Sequence, residues 1–221
     1  MKAMILAAGR GERMRPLTDT TPKPLLEVRG KALIVRLIES LVHAGIREMV
    51  INHAHLGNSI ETALADGRRF DSAILYSREA EALGTAGGIT LALPLLGEGP
   101  FIVVNGDIFC DFDFSALVAR TLGKHLAHLV LVANPPHHPE GDFSLDGARV
   151  VEARKPKWTF SGMGIYRPEL FESIRPGSKG QLAPLLRAAM ARKQVSGEIH
   201  RGVWHDVGTP ERFAALNQAL A

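Results

Sequence analysis

The sequence contains a single cysteine, Cys110, among 221 residues. One cysteine excludes an internal disulfide and a cysteine-rich zinc site. Because Cys110 sits in an apolar stretch, we expect a packed thiol. The sequence also lacks any run of 18 apolar residues, which excludes the pattern typical of a transmembrane helix.

Blocks of like charge are missing as well. The 26 Lys and Arg residues exceed the 23 Asp and Glu residues enough to give a formal charge of +3 and a pI of about 9.2. These charges are interspersed, unlike the basic blocks of nucleic-acid-binding proteins, so we expect neither a nucleic acid nor a membrane as partner. The first residues lack the layout of a signal peptide, which favours a soluble, cytoplasmic protein.

The length suits one α/β domain spanning residues 1–221, since no linker, repeat or low-complexity tract interrupts it. Short apolar runs alternate with helical patterns over the first 135 residues. The predicted strands are 3–8, 49–51, 73–76, 101–104 and 126–132, and the predicted helices are 34–44, 60–64 and 85–96. This alternation predicts a Rossmann-like, mostly parallel sheet with helices on both faces, its nucleotide half at roughly 1–110.

The pattern changes after residue 135. Residues 142–145 and 150–153 flank an Asp146-Gly147 turn, which predicts a β-hairpin. Further predicted elements are a strand at 159–166, a helix at 182–191, a strand at 203–207 and a helix at 211–219. We expect this half, roughly 111–221, to add a small β-rich insertion that binds a second substrate.

The strand at 3–8 breaks into a glycine-containing loop, GRGER, at 9–13. Its glycines would let phosphate oxygens approach the backbone N–H groups closely. Lys23 lies between Pro22 and Pro24, and prolines restrict the chain that presents its cation. Backbone donors and cations at the end of a strand predict a polyphosphate site, and therefore a nucleotide-using enzyme.

Two better-known glycine loops do not fit this segment. A P-loop needs a Lys-Ser/Thr pair directly after its second glycine, and none is present. A dinucleotide-binding fingerprint needs a glycine where Met14 stands. A plain turn at the end of a strand remains the structural alternative.

Two aspartates follow predicted strands. Asp107 ends the motif Asn105-Gly106-Asp107, and Asp206 lies in the last predicted strand. Ligands of open α/β sheets bind beyond the carboxyl ends of the strands, and carboxylate oxygens suit Mg²⁺. Asp107 could instead cap the following segment, and we interpret the nearby Asp113 as a helix N-cap.

Together these motifs resemble the signature of the sugar-1-phosphate nucleotidyltransferases. The resemblance covers most of the chain. It is carried by LAAGRGERMRPLT at 6–18, PKPLL at 22–26, VRGKALI at 28–34, LGTAGG at 83–88, NGD at 105–107, FSG at 160–162 and WHDVGT at 204–209. It implies the Rossmann-like nucleotidyltransferase fold with a small β-rich sugar-binding insertion.

The resemblance implies that a sugar 1-phosphate attacks the α-phosphorus of a nucleoside triphosphate and expels pyrophosphate. UTP and N-acetylmuramate 1-phosphate are the expected substrates, in cell-wall recycling. GTP with mannose 1-phosphate and dTTP with glucose 1-phosphate are alternatives, and a catalytically silent nucleotide-sugar sensor is the non-enzymatic one. We expect a monomer or a small homo-oligomer.

The resemblance also assigns roles to residues. Arg13 and Lys23 are the expected catalytic cations, and Asp107 and Asp206 would hold Mg²⁺. The expected nucleotide-binding residues are Ala8, Gly9, Gly11, Glu12, Arg13, Lys23, Glu79, Ala80 and Gly84. The expected sugar-binding residues are Gly87, Asn105, Asp142, Glu152 and Gly162. Many relatives place glutamine where the loop at 79–84 begins, so the acidic pair Glu79 and Glu81 leaves a solvated turn as an alternative.

Overall fold

The structure, a computed structural model, describes residues 1–220. Within them the strands are β1 (Ala3–Leu6), β2 (Glu27–Val28), β3 (Lys31–Ala32), β4 (Glu48–His53), β5 (Ala73–Arg78), β6 (Phe101–Asn105), β7 (Ile108–Cys110), β8 (Ala127–Val132), β9 (Ser144–Asp146), β10 (Arg149–Val151), β11 (Thr159–Tyr166), β12 (Val195–Ile199) and β13 (Trp204–Asp206). The helices are α1 (Leu33–His43), α2 (Gly57–Leu64), α3 (Gly84–Leu96), α4 (Ser115–Val118), α5 (Leu182–Ala191) and α6 (Pro210–Ala219). Short 3-10 helices span Glu12–Met14, Leu17–Asp19, Lys23–Leu25, Arg68–Phe70 and Pro168–Phe171.

Nine strands form one central sheet in the order β5-β4-β1-β6-β11-β8-β12-β10-β9. Seven of the nine run in one direction, because only β11 and β10 are antiparallel to their neighbours on both sides. The predicted, mostly parallel sheet is therefore confirmed. The carboxyl ends of β1, β4, β5, β6, β8 and β12 meet at one edge, where the loops that follow them can share a site.

Apolar side chains cover both faces of the sheet. On β1, Ala3 and Ile5 join a core cluster with α1 and α2, whereas Met4 joins a second cluster with α3 and α5. This alternation follows from the two-residue period of a strand. It confirms that helices lie on both faces.

Helix α1 shows why the sequence pattern was informative. Its stripe of Ile34, Leu37, Ile38 and Leu41 is buried against the sheet. Gly45 takes φ 87° after the helix, and the N–H of the next residue donates to the Leu41 carbonyl at 2.9 Å. This is a Schellman ending, which favours glycine at the left-handed position.

The second half differs in detail from the prediction. The hairpin of β9 and β10 does form around residues 146–149, but β10 pairs with β12 and so extends the main sheet. Strands β12 and β7 were missed because five and three residues carry too short a pattern. β12 depends on parallel pairing with β8, and β7 pairs with β13 in a separate two-stranded sheet. No helix within residues 1–220 combines the length and the hydropathy needed to cross a membrane.

Replacement of Leu41 by alanine should lower the free energy of unfolding by about 2–5 kcal/mol, because it leaves a cavity in a packed core. Leu41 has 0% exposure. Leu75, on the edge strand, is 50% exposed, so Leu75→Ala is the matched control and should cost about 0.5 kcal/mol or less. Equilibrium urea unfolding measures both, and equal losses would contradict this packing.

Candidate functional site

A cleft of about 250 Å³ opens at the shared edge of the sheet. It is lined by the residues that follow β1, β4, β5 and β6: Leu6, Ala7, Ala8, Gly9, Lys23, Pro24, Asn52, Ala82, Gly84, Thr85, Asn105 and Asp107. A second cleft of about 500 Å³ adjoins it and is lined by residues 9–14, Lys23, Asp107 and Gly208. The two share Gly9, Lys23 and Asp107, so the glycine loop lies where they meet.

The glycine loop is held by its own backbone. Gly11 takes φ 68°, a conformation that favours glycine. Its carbonyl accepts hydrogen bonds from the Thr18 hydroxyl and the Met14 N–H, both at 2.8 Å. The Met14 side chain is fully buried, which anchors this turn to the domain. Arg13, which precedes Met14 in the turn, is exposed and lines the second cleft.

Lys23 lies against Asp107. Its ammonium group donates to Oδ2 of Asp107, and its side chain is only 13% exposed. The Lys23–Leu25 helix fixes the backbone there, with the Leu26 N–H donating to the Lys23 carbonyl at 3.1 Å. Lys23 is therefore a partly buried cation in the wall of both clefts, and a simple surface role does not fit it.

Asp107 is placed by the end of β6. The Gly106 N–H donates to the Leu6 carbonyl at 2.8 Å, which holds the ends of β6 and β1 together. A β-carbon on Gly106 would come within 2.7 Å of that carbonyl oxygen, so only glycine fits. A strand, β7, follows Asp107, so the helix-capping alternative for this residue is wrong.

Asp206 lies beside Asp107 on the pairing strand. Asp206 is in register with Ile108, and the Val207 N–H donates to the Asp107 carbonyl at 3.0 Å. Carboxylate oxygens are suitable ligands for Mg²⁺, which takes its remaining ligands from water and phosphate. No group of three or more His, Cys, Asp or Glu side chains within the described chain could hold a metal ion without such help. Asp107 and Asp206 both supply the oxygen ligands that Mg²⁺ prefers, and a magnesium ion held jointly with a polyphosphate stays a prediction.

Glu79 is buried, with 6% exposure, at the end of β5. Its Oε1 accepts from the Asn52 amide at 2.6 Å, and its Oε2 accepts from the Leu83 N–H at 2.9 Å. The Asn52 side-chain oxygen in turn accepts from the Ala7 N–H at 3.0 Å. The carboxylate thus connects three loops of the cleft, and the solvated-turn alternative is wrong for Glu79.

Glu81 and Ala80 in the same loop are exposed. Glu81 forms a surface ion pair with Lys179 at 2.8 Å, as the solvated-turn alternative predicts. Gly84 takes φ 73° and lines the first cleft. Contact of Glu79, Ala80 and Gly84 with a nucleotide base stays a prediction.

Gly87, expected to bind the sugar, packs against a backbone segment from the second half of the chain, and its contact with a sugar stays a prediction. It is buried, and its N–H donates to the Gly180 carbonyl at 3.3 Å. A β-carbon there would come within 2.5 Å of the Ser178 carbonyl oxygen. Gly87 therefore permits close packing of the segment 178–180 on α3, and it faces that segment instead of the cleft.

The other expected sugar ligands fall into two groups. Asn105 lines the first cleft, and its amide lies over Gly162, where a β-carbon would come within 2.4 Å of Nδ2. Asp142 accepts from the Phe160 N–H at 2.8 Å, close in sequence to Gly162. Glu152 instead forms an ion pair at 2.8 Å with Arg187 of α5, so its carboxylate is engaged outside this cluster.

Four further contributors were not among the expected site residues. Asn52 bridges two loops, and Thr18 closes the glycine turn. Arg212 and His137 both contact Asp206, from α6 and from the loop after β8. Asp206 lies 69 residues after His137 and six residues before Arg212, and no motif links the three, so only the folded structure shows that they meet.

Cys110 behaves as expected of a packed thiol. Its sulfur lies 3.8 Å from the Met163 sulfur. Burial raises the pKa of the Cys110 thiol to about 11, so it stays protonated near neutral pH.

Comparison with known proteins places this geometry in a family. The family model described as nucleotidyl transferase matches residues 2–221. The chain is 58% identical to an N-acetylmuramate alpha-1-phosphate uridylyltransferase of Neisseria meningitidis serogroup B, an alignment that covers all of this chain and 98% of that protein. It is 33% identical to the catalytic subunit beta of mannose-1-phosphate guanylyltransferase from Danio rerio, covering 96% of this chain and 62% of that protein.

Solved structures show the same fold. A protein assigned as a glucose-1-phosphate thymidylyltransferase from Bacillus anthracis superposes with a TM-score of 0.86 at 22% identity, covering 99% of this chain and 94% of the other. A UDP-glucose pyrophosphorylase complexed with UDP-glucose gives 0.79 at 23% identity, covering 99% and 97%. Members of this family generally use a divalent metal. The resemblance drawn from the motifs is thereby confirmed, and the chain belongs to the nucleotidyl transferase family, as a sugar-1-phosphate nucleotidyltransferase.

Proposed function

We propose that this protein transfers a uridylyl group from UTP to N-acetylmuramate 1-phosphate, forming a UDP-sugar and pyrophosphate. The observation that carries the proposal is the 58% identity to the Neisseria uridylyltransferase over nearly the full length of both chains. We assign the reaction to the recycling of cell-wall sugars in the cytoplasm. The protein would act as a monomer or a small homo-oligomer.

The clefts contain candidate residues for both substrates. The glycine loop at 9–13, with Ala8 and Arg13, would bind the triphosphate through backbone N–H groups and the exposed guanidinium. Asn105 and Gly162, with Asp142 behind them, would meet the sugar. Gly11 and Glu12 complete the phosphate-binding loop.

The reaction brings two anions together, so charge neutralisation and in-line alignment dominate the barrier. Lys23 would place its ammonium group between the α-phosphate and the incoming phosphate, because it lies in the wall shared by both clefts. Arg13 would bind the departing pyrophosphate in a forked manner. No general base is required, since a phosphate monoester with a pKa of about 6 is ionised at neutral pH.

Asp107 and Asp206 would hold Mg²⁺. When bound, this ion would neutralise phosphate oxygens and help to align them. The proposal is supported by the pairing of β13 with β7, which brings the backbone next to Asp206 into hydrogen-bond contact with the Asp107 carbonyl.

A second candidate is guanylyl transfer to mannose 1-phosphate, which the 33% identity to the guanylyltransferase subunit favours. A matrix of UTP, GTP and dTTP against N-acetylmuramate, mannose and glucose 1-phosphates, measured by pyrophosphate release, separates the candidates. We expect the UTP and N-acetylmuramate pair to give a kcat/KM at least about tenfold above any other pair. A higher value for another pair would replace the proposal, and no turnover with any pair would favour a nucleotide-sugar sensor.

Lys23→Ala should lower kcat about 100-fold or more, because a cation directed at a reacting phosphate contributes about 3 kcal/mol or more to transition-state stabilisation. Lys124→Ala, which removes an exposed lysine, is the control and should leave turnover within about twofold of the parent. Steady-state kinetics with saturating substrates measures both variants. A Lys23→Ala enzyme as active as the control would exclude the catalytic role.

Glu79→Gln should raise the KM for UTP about tenfold and change the KM for the sugar 1-phosphate little. A glutamine amide cannot accept from both the Asn52 amide and the Leu83 N–H, so one buried donor loses its partner at a cost of about 1–3 kcal/mol. Glu81→Gln, in the same loop but exposed, is the matched control and should change neither KM. Equal effects of the two substitutions would refute this organising role for Glu79.

A further inference from the structure

Both oxygens of the Asp206 carboxylate have a basic side chain beside them. Arg212 donates from Nη1 to Oδ2 at 2.6 Å, and His137 Nε2 lies 3.0 Å from Oδ1. Neither residue belongs to the expected site, and neither lines the two clefts. Their contacts therefore concern how Asp206 is held.

The fold directs Arg212 toward Asp206. The Thr209 hydroxyl caps α6 by accepting from the Arg212 N–H at 3.3 Å, which places Arg212 in the first helical turn. The side chain then turns back across Gly208, where a β-carbon would lie 1.9 Å from its Nη2. The absence of a side chain at Gly208 leaves the space that the guanidinium fills.

Arg212 donates to the carboxylate in every case, whereas the role of His137 depends on its tautomer. His137 Nε2 lies 2.6 Å from the Arg212 Nη1 and 3.0 Å from Asp206 Oδ1. This nitrogen either accepts from Arg212 or carries a proton and donates to Asp206. Arg212 is always charged and always donates, so it is the constant partner of the carboxylate.

We propose that Arg212 is a positioning residue that orients the Asp206 carboxylate for metal binding, an inference that rests on the proposed metal role of Asp206. Asp206 is the last residue of a three-residue strand, and its side chain is 30% exposed. Without Arg212 only the His137 contact at Oδ1 would remain to orient the carboxylate. Partners that orient metal ligands commonly change metal affinity or activity 10–100-fold when they are removed.

Because Arg212 is charged, the direction in which its removal changes the affinity for Mg²⁺ is informative. A cation 2.6 Å from a ligand oxygen repels a metal ion, so its removal would tighten metal binding if charge dominated. Orientation predicts the opposite. The sign of the change therefore distinguishes a positioning residue from a competing cation.

The test measures the factor by which saturating Mg²⁺ tightens UTP binding, from calorimetric titrations with Mg²⁺ and with EDTA. Arg212→Ala should lower this factor tenfold or more and raise the half-saturating Mg²⁺ concentration for turnover, while kcat at saturating Mg²⁺ falls less. Arg212→Lys keeps a charge near Oδ2 and should recover part of the factor. Arg68→Ala, an exposed arginine paired with Asp66, is the control and should stay within about twofold.

The Asp206→Asn variant tests the metal role of Asp206 separately from the positioning role of Arg212. Suppose that Mg²⁺ no longer tightens UTP binding in Asp206→Asn, while in Arg212→Ala the factor is unchanged or larger. This result would overturn the positioning role of Arg212 alone. An unchanged Mg²⁺ effect in Asp206→Asn would overturn the metal assignment itself. Urea unfolding of Arg212→Ala identifies a merely structural effect, since lower stability with an unchanged Mg²⁺ effect also overturns the positioning role.

Discussion

The organisation of the first cleft depends on the buried carboxylate of Glu79. A buried carboxylate is costly unless its oxygens accept hydrogen bonds, and here both do, from Asn52 and from the Leu83 N–H. The Asn52 side-chain oxygen also accepts from the Ala7 N–H just after β1, so Glu79 and Ala7 are linked through one amide. The ends of β1, β4 and β5 are thus fixed relative to one another by one acceptor group. Gly88 belongs to the same arrangement, because a β-carbon there would lie 2.6 Å from the Glu79 carboxylate.

The charged side chains of the proposed phosphate and metal site are paired with opposite charges within the protein. Lys23 has little exposure and would be strongly disfavoured alone, but Asp107 supplies the opposite charge. Arg212 of α6 likewise pairs with Asp206 at the end of β13. Each proposed metal ligand therefore has a cationic partner within the protein. If these residues bind polyphosphate and metal as proposed, the ion pairs hold their side chains in place beforehand, which limits the reorganisation needed on binding.

Much of the fold could be predicted because the local patterns were strong. The apolar stripe of α1 follows the 3.6-residue helical period, and the short apolar runs of β1 and β6 are typical of buried strands. The alternation of such strands with helices indicated a parallel sheet. Strands such as β12 could not be predicted, since their stability comes from pairing with a neighbour distant in the sequence. The same limit applies to the site. Arg13, Lys23 and Asp107 lie in recognisable motifs, whereas Asn52 acts through partners that only the fold brings near.

The LGTAGG motif shows how one sequence signal can carry two physical roles. Gly84 lines the cleft. Gly84 and Gly87 also permit close packing of the backbone against the segment that contains Gly180. The Gly180 N–H donates to the Leu83 carbonyl at 2.8 Å, and the Gly180 carbonyl accepts from the Ala86 N–H at 3.0 Å.

Leu83 is also the residue whose N–H donates to Glu79. The loop that follows β5 is therefore held on one side by a buried carboxylate and on the other by the segment 178–180. Because that segment belongs to the second half of the chain, the halves proposed for nucleotide and sugar meet at a backbone contact that any side chain at Gly84 or Gly87 would disturb. A packing requirement, in addition to contact with a ligand, is sufficient to demand glycine at these positions.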